Sequence, residues 1–272
     1  GFKGVVPGAK EKAFKKYMPT VYAGRQCMQE VHIWDRYGKP VKEDALPGLG
    51  YFNGIGIDKD DNLYVMFQAP RNINDKPFPN VWQGTMIKFE ARDEKRNNVK
   101  VLSTGGDVAL PLSAAEIPKR SPDTVQGGWY GSWHGKTWMA GAEWSYGGTG
   151  VVGARCSCYH TRFQLDTFAR SFAPEPDVYS VAVLDSSGNL ILHVGKYGNT
   201  DDGMPLVLQK DIPNAHSIGG DEVSLFYPEY VGVDTDKRLF IADVGNARIV
   251  SVKLGYHTDE KIPLKSIQDR IK

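Results

Sequence analysis

The chain has little of what most familiar function classes depend on. Only three of its 272 residues are cysteine, an odd number that neither establishes nor excludes an oxidising compartment. No apolar run approaches the roughly 18 residues of a membrane-spanning helix, so no membrane insertion is expected. Charge of one sign is absent too, since 33 Lys and Arg stand against 32 Asp and Glu for a net charge of +1. Without a polybasic block, electrostatic binding to nucleic acid or to an anionic membrane is not expected. No G-x-S-x-G, P-loop or H-E-x-x-H motif occurs, and no G-x-G-x-x-G leads from a strand into a helix. Those absences disfavour most common hydrolase, nucleotide-binding and dehydrogenase chemistries.

Turns and apolar residues are plentiful. The chain is 41% hydrophobic and 11% aromatic, with 30 glycines and 16 prolines, enough to bury a sizeable core between many tight turns. The clearest stretch is Tyr227 to Leu254. It reads as a strand around Tyr230–Val233, an acidic turn at Asp234–Asp236 and a strand Leu239–Ala242. A polar turn Asp243–Asn246 and a strand Ile249–Leu254 complete an antiparallel meander. One meander cannot bury both faces of its sheet, so several are expected.

The signature recurs. Gly54-Ile55-Gly56-Ile57-Asp58, followed by Lys59–Asn62 and Leu63-Tyr64-Val65, matches Val231–Asp234, Thr235–Arg238 and Leu239–Ile241. A looser copy runs from Phe163 through Asp166 to Ala173. Asp58, Asp166 and Asp234 share a register that reads as a turn cap, and the small residues before them let a strand sit deep between sheets. A related pattern, a strand ending in Asp followed by a Gly-containing turn, occurs at Val31–Asp35 and at Val181–Asp185, the latter leading into a strand Leu190–Val194. An additional unit is expected between Gly127 and Val152, with His134-Gly135-Lys136-Thr137 turning between its strands.

These residues resemble NHL repeats, carried by GIGIDKDDNLYV, YVGVDTDKRLFIADVGNARIVSVKL and VAVLDSSGNLILHVGKYGN. The resemblance covers about residues 31–67, 86–103 and 162–255 and extends to the wider propeller group that includes gluconolactonase-like enzymes. It implies an all-β fold, a β-propeller of four-stranded antiparallel blades, six in number, with five or an incomplete ring as alternatives. Residues 1–20 form a basic lead-in, and 21–272 the propeller domain, with long rim insertions near 70–81, 104–155 and 199–220. In gluconolactonase-like propellers a divalent cation sits on the central axis, but no residue set here matches its ligands. Fold alone does not assign a function.

Three features carry candidate chemistry. Cys156, Cys158 and His160 alternate soft thiolate and imidazole donors, a set suited to a transition metal. In an extended strand the outer pair would lie about 13 Å apart, so the segment must bend to hold one ion. A disulfide, between the two cysteines or with Cys27, and buried free thiols are the alternatives. Trp129, Trp133, Trp138, Trp144 and Tyr146 fall within a short Gly-rich run, either as a stacking platform for a sugar or as filling between sheets. Calcium is the candidate ion at Asp60-Asp61-Asn62 and Asp201-Asp202-Gly203, against solvated turns.

Two functional readings remain. One is an extracytoplasmic (periplasmic or secreted) binding or scaffold module for a protein or glycan partner, either alone or as one subunit of a larger assembly. The other is a propeller enzyme, hydrolytic, lyase or redox, acting on a lactone or carbohydrate through His160, His134 or Asp166. The opening GFKGVVPGAK, without an initiator Met or a signal-peptide pattern, is read as the start of a processed chain or of a fragment. His193, flanked by Ile191, Leu192 and Val194, reads as a structural residue.

Overall fold

The computed structural model describes residues 31–42, 45–46, 52–67, 71–73, 76–78, 83–91, 100–103, 123–126, 136–150, 161–199 and 223–254. Among them the protein is all-β, with helix limited to two single 3-10 turns, Pro176–Val178 and Val244–Asn246. No helix among these residues is long and apolar enough to cross a membrane.

Three antiparallel meanders stack face to face. Sheet I contains β3 (Phe52–Ile57), β4 (Leu63–Phe67), β7 (Gly84–Phe89) and β11 (Ala142–Thr149), in the spatial order β11-β7-β4-β3. Sheet II runs in order through β12 (Gln164–Leu165), β13 (Ser171–Glu175), β14 (Ser180–Leu184) and β15 (Leu190–Val194). Sheet III holds β18 (Pro228–Val233), β19 (Arg238–Asp243) and β20 (Arg248–Lys253). A short parallel pair, β16 (Lys196–Tyr197) with β17 (Ser224–Leu225), links sheets II and III.

Strand sequence explains the stacking. Side chains alternate across a strand, so a strand buried on both faces must be apolar throughout. Leu63, Val65 and Phe67 of β4 pack with Val31, Leu46, Ile87 and Phe89 on one side of sheet I. Tyr64 and Met66 point the other way and meet Phe163, Ala173, Ala182 and Leu184 of sheet II. In β14 the same division sends Val181 and Val183 toward Leu225 of β17 and Leu239 and Ile241 of sheet III. Each fully buried Leu, Val or Phe contributes about 1.5–3 kcal/mol.

Close approach between sheets I and II depends on two glycines. A Cβ on Gly54 would stand 2.9 Å from the Phe163 ring, and one on Gly56 2.8 Å from Leu165 Cδ1. Leaving Cβ out lets the sheet II side chains settle onto the backbone of β3.

The insertions carry strands of their own. Short strands β1 (Ile33–Trp34) and β2 (Pro40–Lys42) pair at the start of the chain. A five-stranded sheet joins β5 (Arg71–Ile73), β6 (Lys76–Phe78), β8 (Lys100–Ser103), β9 (Asp123–Gln126) and β10 (Lys136–Ala140), in the order β6-β5-β9-β10-β8. The additional unit expected over Gly127–Val152 is instead divided between two sheets. Gly141, at φ +81°, turns the chain from β10 into β11, the outer strand of sheet I. Lys136 and Thr137, expected in a turn, are paired strand residues opposite Gln126 and Val125.

Candidate functional site

Two kinds of turn define the two ends of the stack. At one end Asp58, Asp166, Asp185 and Asp234 build the same loop, which Asp35 repeats between β1 and β2. In each, Oδ1 accepts hydrogen bonds from the backbone N–H two and four residues on, at 2.8–3.0 Å. The residue three after the Asp has positive φ: Gly38, Asp61, Ala169, Gly188 and Lys237. Asp58, Asp166 and Asp234 are therefore turn caps, as their shared register implied. Burial alone would raise the Asp58 carboxyl. Hydrogen bonds from Asn62, Tyr64 and Asp60 outweigh it and hold the group below its ordinary value.

A cleft of about 450 Å³ opens at this end between β3 and β12, lined by Ile55, Ile57, Lys59, Gln164 and Thr167 among others. Asp166 also lines it, but its second oxygen is held by Arg170 at 2.5 Å. Lys59 pairs with Asp60. Asn62, part of the calcium candidate, donates its amide to Asp58 and accepts from the N–H of Ala91. That turn satisfies itself.

The opposite end carries the 3-10 turns. In sheet III, Asp243 is fully buried and closes the turn. Its oxygens accept from the N–H groups of Phe226 and Tyr227, from the Asn246 amide at 2.7 Å and from Arg248 Nε at 3.3 Å. Sheet II repeats the backbone, a strand end, a 3-10 turn and a residue in the left-handed region, Tyr179 at φ +57° against Ala247 at φ +51°. Its acid is Glu175, and where sheet III has Arg248 it has Ser180.

Glu175 has a different set of partners. Tyr146 of sheet I donates its hydroxyl to Oε1 at 3.0 Å, and Ser180 Oγ donates to Oε2 at 3.2 Å. His193 Nε2 of β15 lies 2.9 Å from Oε2. The Glu175 side chain is 5% exposed and that of His193 43%. Burial pushes the Glu175 carboxyl up, against the lowering influence of His193, Tyr146 and Ser180. Burial and the adjacent Glu175 also drive the Tyr146 hydroxyl well above its usual range.

Three aromatic rings gather beside this cluster. Tyr179 meets Tyr197 edge-on at 4.7 Å between centroids and stacks on Phe226 at 6.5 Å and 12°. Tyr197 and Phe226 also touch, at 6.1 Å. Tyr197 is 62% exposed and Phe226 44%, and the neighbouring Val178 and Val244 are exposed as well. A tyrosine in the left-handed region is unfavourable, yet that conformation places its ring against Tyr197.

Of the residues singled out in the sequence, Tyr146 falls in the Glu175 cluster. Trp144 lies between sheets I and II. Its Nε1 donates to the Ser186 carbonyl at 3.0 Å, its ring meets Tyr64 edge-on at 5.8 Å, and Gly188 packs on its face. Trp138 belongs to β10. Trp129, Trp133, His134, Cys156, Cys158, His160 and Asp201–Gly203 lie outside the described residues. Among the described residues no three His, Cys, Asp or Glu side chains group as a metal site. Sequence reading passed over Glu175, Tyr179, Tyr197 and Phe226. The one available signal was Ser180 standing where the sister turn has Arg248.

No protein-family model matches the chain, and no curated protein sequence matches it. Among solved structures, a protein of unknown function from Bacteroides caccae is similar over 74% of this chain and 77% of that one. The two are 11% identical with a TM-score of 0.19, from which neither fold nor function is carried over.

Proposed function

We propose that the protein is a binding module built on an NHL-like, six-bladed propeller, with a glycan as its partner. The carrying observation is the Tyr179–Tyr197–Phe226 cluster, three mutually supported rings of which two are largely exposed. An exposed ring offers a flat apolar face with a negative π cloud, which suits the C–H face of a pyranose. Contacts among the rings hold them in place before a ligand arrives, and so reduce the ordering needed on binding. A glycan ligand agrees with the extracytoplasmic location expected from the sequence.

Sheets I to III support the propeller reading, because each meander buries one face on the next. A closed ring of six such sheets in an experimentally determined structure is the expected outcome, and an open stack overturns it. For binding, the test is a glycan array probed with the wild type and with Tyr197→Ala and Phe226→Ala. Both substitutions should abolish the wild-type signal while leaving the thermal unfolding midpoint nearly unchanged. Signal that survives both overturns the platform.

A further inference from the structure

Glu175 has a partner in His193 that its counterpart in sheet III, Asp243, lacks. Asp243 and Arg248 form a closed clasp: the acid is fully buried, and the Arg248 side chain is only 14% exposed. In sheet II the turn holds without such a clasp. Pro176 fixes its first residue, the Tyr179 N–H donates to the Pro176 carbonyl at 3.2 Å, and the Gly150 N–H donates to the Pro174 carbonyl at 2.9 Å. The carboxylate of Glu175 is thus released from the backbone and gripped by side chains from two sheets. Its most exposed partner is an imidazole.

The geometry points to His193 as a carboxylate-backed general base, with the ester bond of an acyl compound as its target. Glu175 is the positioning residue. Its bond to Nε2 fixes the proton there and leaves the lone pair on Nδ1, which bonds to none of the described residues. Tyr146 and Ser180 keep the carboxylate from turning away. A carboxylate so placed orients the ring and stabilises the imidazolium that forms during reaction.

The step balances with water as co-reactant. Nδ1 takes a proton from a water molecule while the water oxygen adds to the ester carbonyl carbon. The bond from that carbon to the leaving oxygen then breaks, and the imidazolium returns the proton to the departing oxygen. A carboxylic acid and an alcohol result. Glycosidic bonds are a poorer match, because their cleavage ordinarily takes two carboxyl groups about 5–9.5 Å apart, and both Glu175 oxygens are occupied.

The experiment uses the whole chain and p-nitrophenyl acetate, following p-nitrophenolate release. His193→Gln leaves the other five of the six histidines in place, and it should lower the rate about a hundredfold or more, within the range of about 10²–10⁴ typical of general-base catalysis. Glu175→Gln should lower the plateau and shift the acidic limb of the pH–rate profile, where the base is protonated, to lower pH, a displacement that a purely structural Glu175 would not cause. Ile249→Ser, at an exposed site on sheet III, should leave the rate unchanged. Equal rates for the wild type and His193→Gln overturn the assignment, as does an unmoved limb in Glu175→Gln. Carbethoxylation of the unmodified wild type by diethyl pyrocarbonate guards against a misfolded variant. His193 should react among the fastest histidines, and its reacting among the slowest contradicts an accessible Nδ1.

Discussion

Glu175 and Asp243 occupy the same place in two neighbouring sheets and hold opposite kinds of company. Asp243 is bound by two backbone N–H groups, an amide and a guanidinium, all within its own sheet and the segment leading into it. Glu175 is bound by a tyrosine, a serine and a histidine. The first arrangement closes a turn. The second leaves an exposed histidine, backed by a buried acid, beside an aromatic platform.

Removing the buried clasp should therefore be far more damaging than altering its counterpart. Asp243→Ala strands the largely buried guanidinium of Arg248 and two backbone donors, and is expected to destabilise the fold by about 3–5 kcal/mol. Glu175→Gln keeps an acceptor in place and should cost no more than about 1 kcal/mol. Chemical denaturation of both variants checks this. A loss from Asp243→Ala no larger than that from Glu175→Gln contradicts the closed-clasp reading.

Positive φ in the aspartate turns gives a second expectation. Lys237 sits at φ +59° without the freedom of glycine, so Lys237→Gly should raise stability by about 0.5–1 kcal/mol. Gly38→Ala adds a Cβ that meets nothing within 4 Å, whereas in Gly188→Ala it would stand 2.5 Å from the Trp144 ring. Both should destabilise, Gly188→Ala the more. Equal losses in thermal unfolding would mean that Trp144 does not pack there.

Sheet contact depends on Gly56. Gly56→Val must displace Leu165, whose Cδ1 would lie 2.8 Å from the new Cβ, and is expected to cost about 1–3 kcal/mol. An unchanged denaturation midpoint would argue against the close packing of β3 on β12.

Two carboxyls should oppose each other as pH changes. Asp58 is held below its ordinary value of 3.8, so the folded state releases that proton more readily than the unfolded chain. Its stabilisation is present above that value and is lost as pH falls through the lowered one. Glu175 is raised above 4.5, with burial the leading cause, so the folded state keeps that proton longer. Its contribution is full below 4.5 and is lost as pH rises through the raised value. Glu175→Gln should flatten the fall in melting temperature on the higher-pH side and leave the acid limb intact. An unaltered higher-pH side contradicts the assignment.

Much of the fold could be read from local signals. The aspartates of the five turns bond to groups two and four residues away, so their chemistry lies within a few positions of sequence. Leu190–Val194 is a strand as expected, and Tyr227–Leu254 is a meander whose second turn is a 3-10 turn. The pairing of Arg71–Ile73 with Asp123–Gln126 had no such signal, because its partners stand some fifty residues apart. The Glu175 cluster was hidden for the same reason. Tyr146, Glu175 and His193 come from three strands and two sheets, and His193 stands in an apolar strand that gives no hint of its partner. The rings of Tyr179, Tyr197 and Phe226 are likewise separated in sequence and meet through β16 and β17.

The platform is tested most directly by an NMR titration of the labelled protein with a glycan identified on the array. The account predicts that the ring resonances of Tyr179, Tyr197 and Phe226 shift together and saturate, while the Trp144 indole, partly buried between sheets I and II, stays in place. Shifts confined to the Ile55 and Ile57 methyl groups, in the cleft at the other end of the stack, would contradict it.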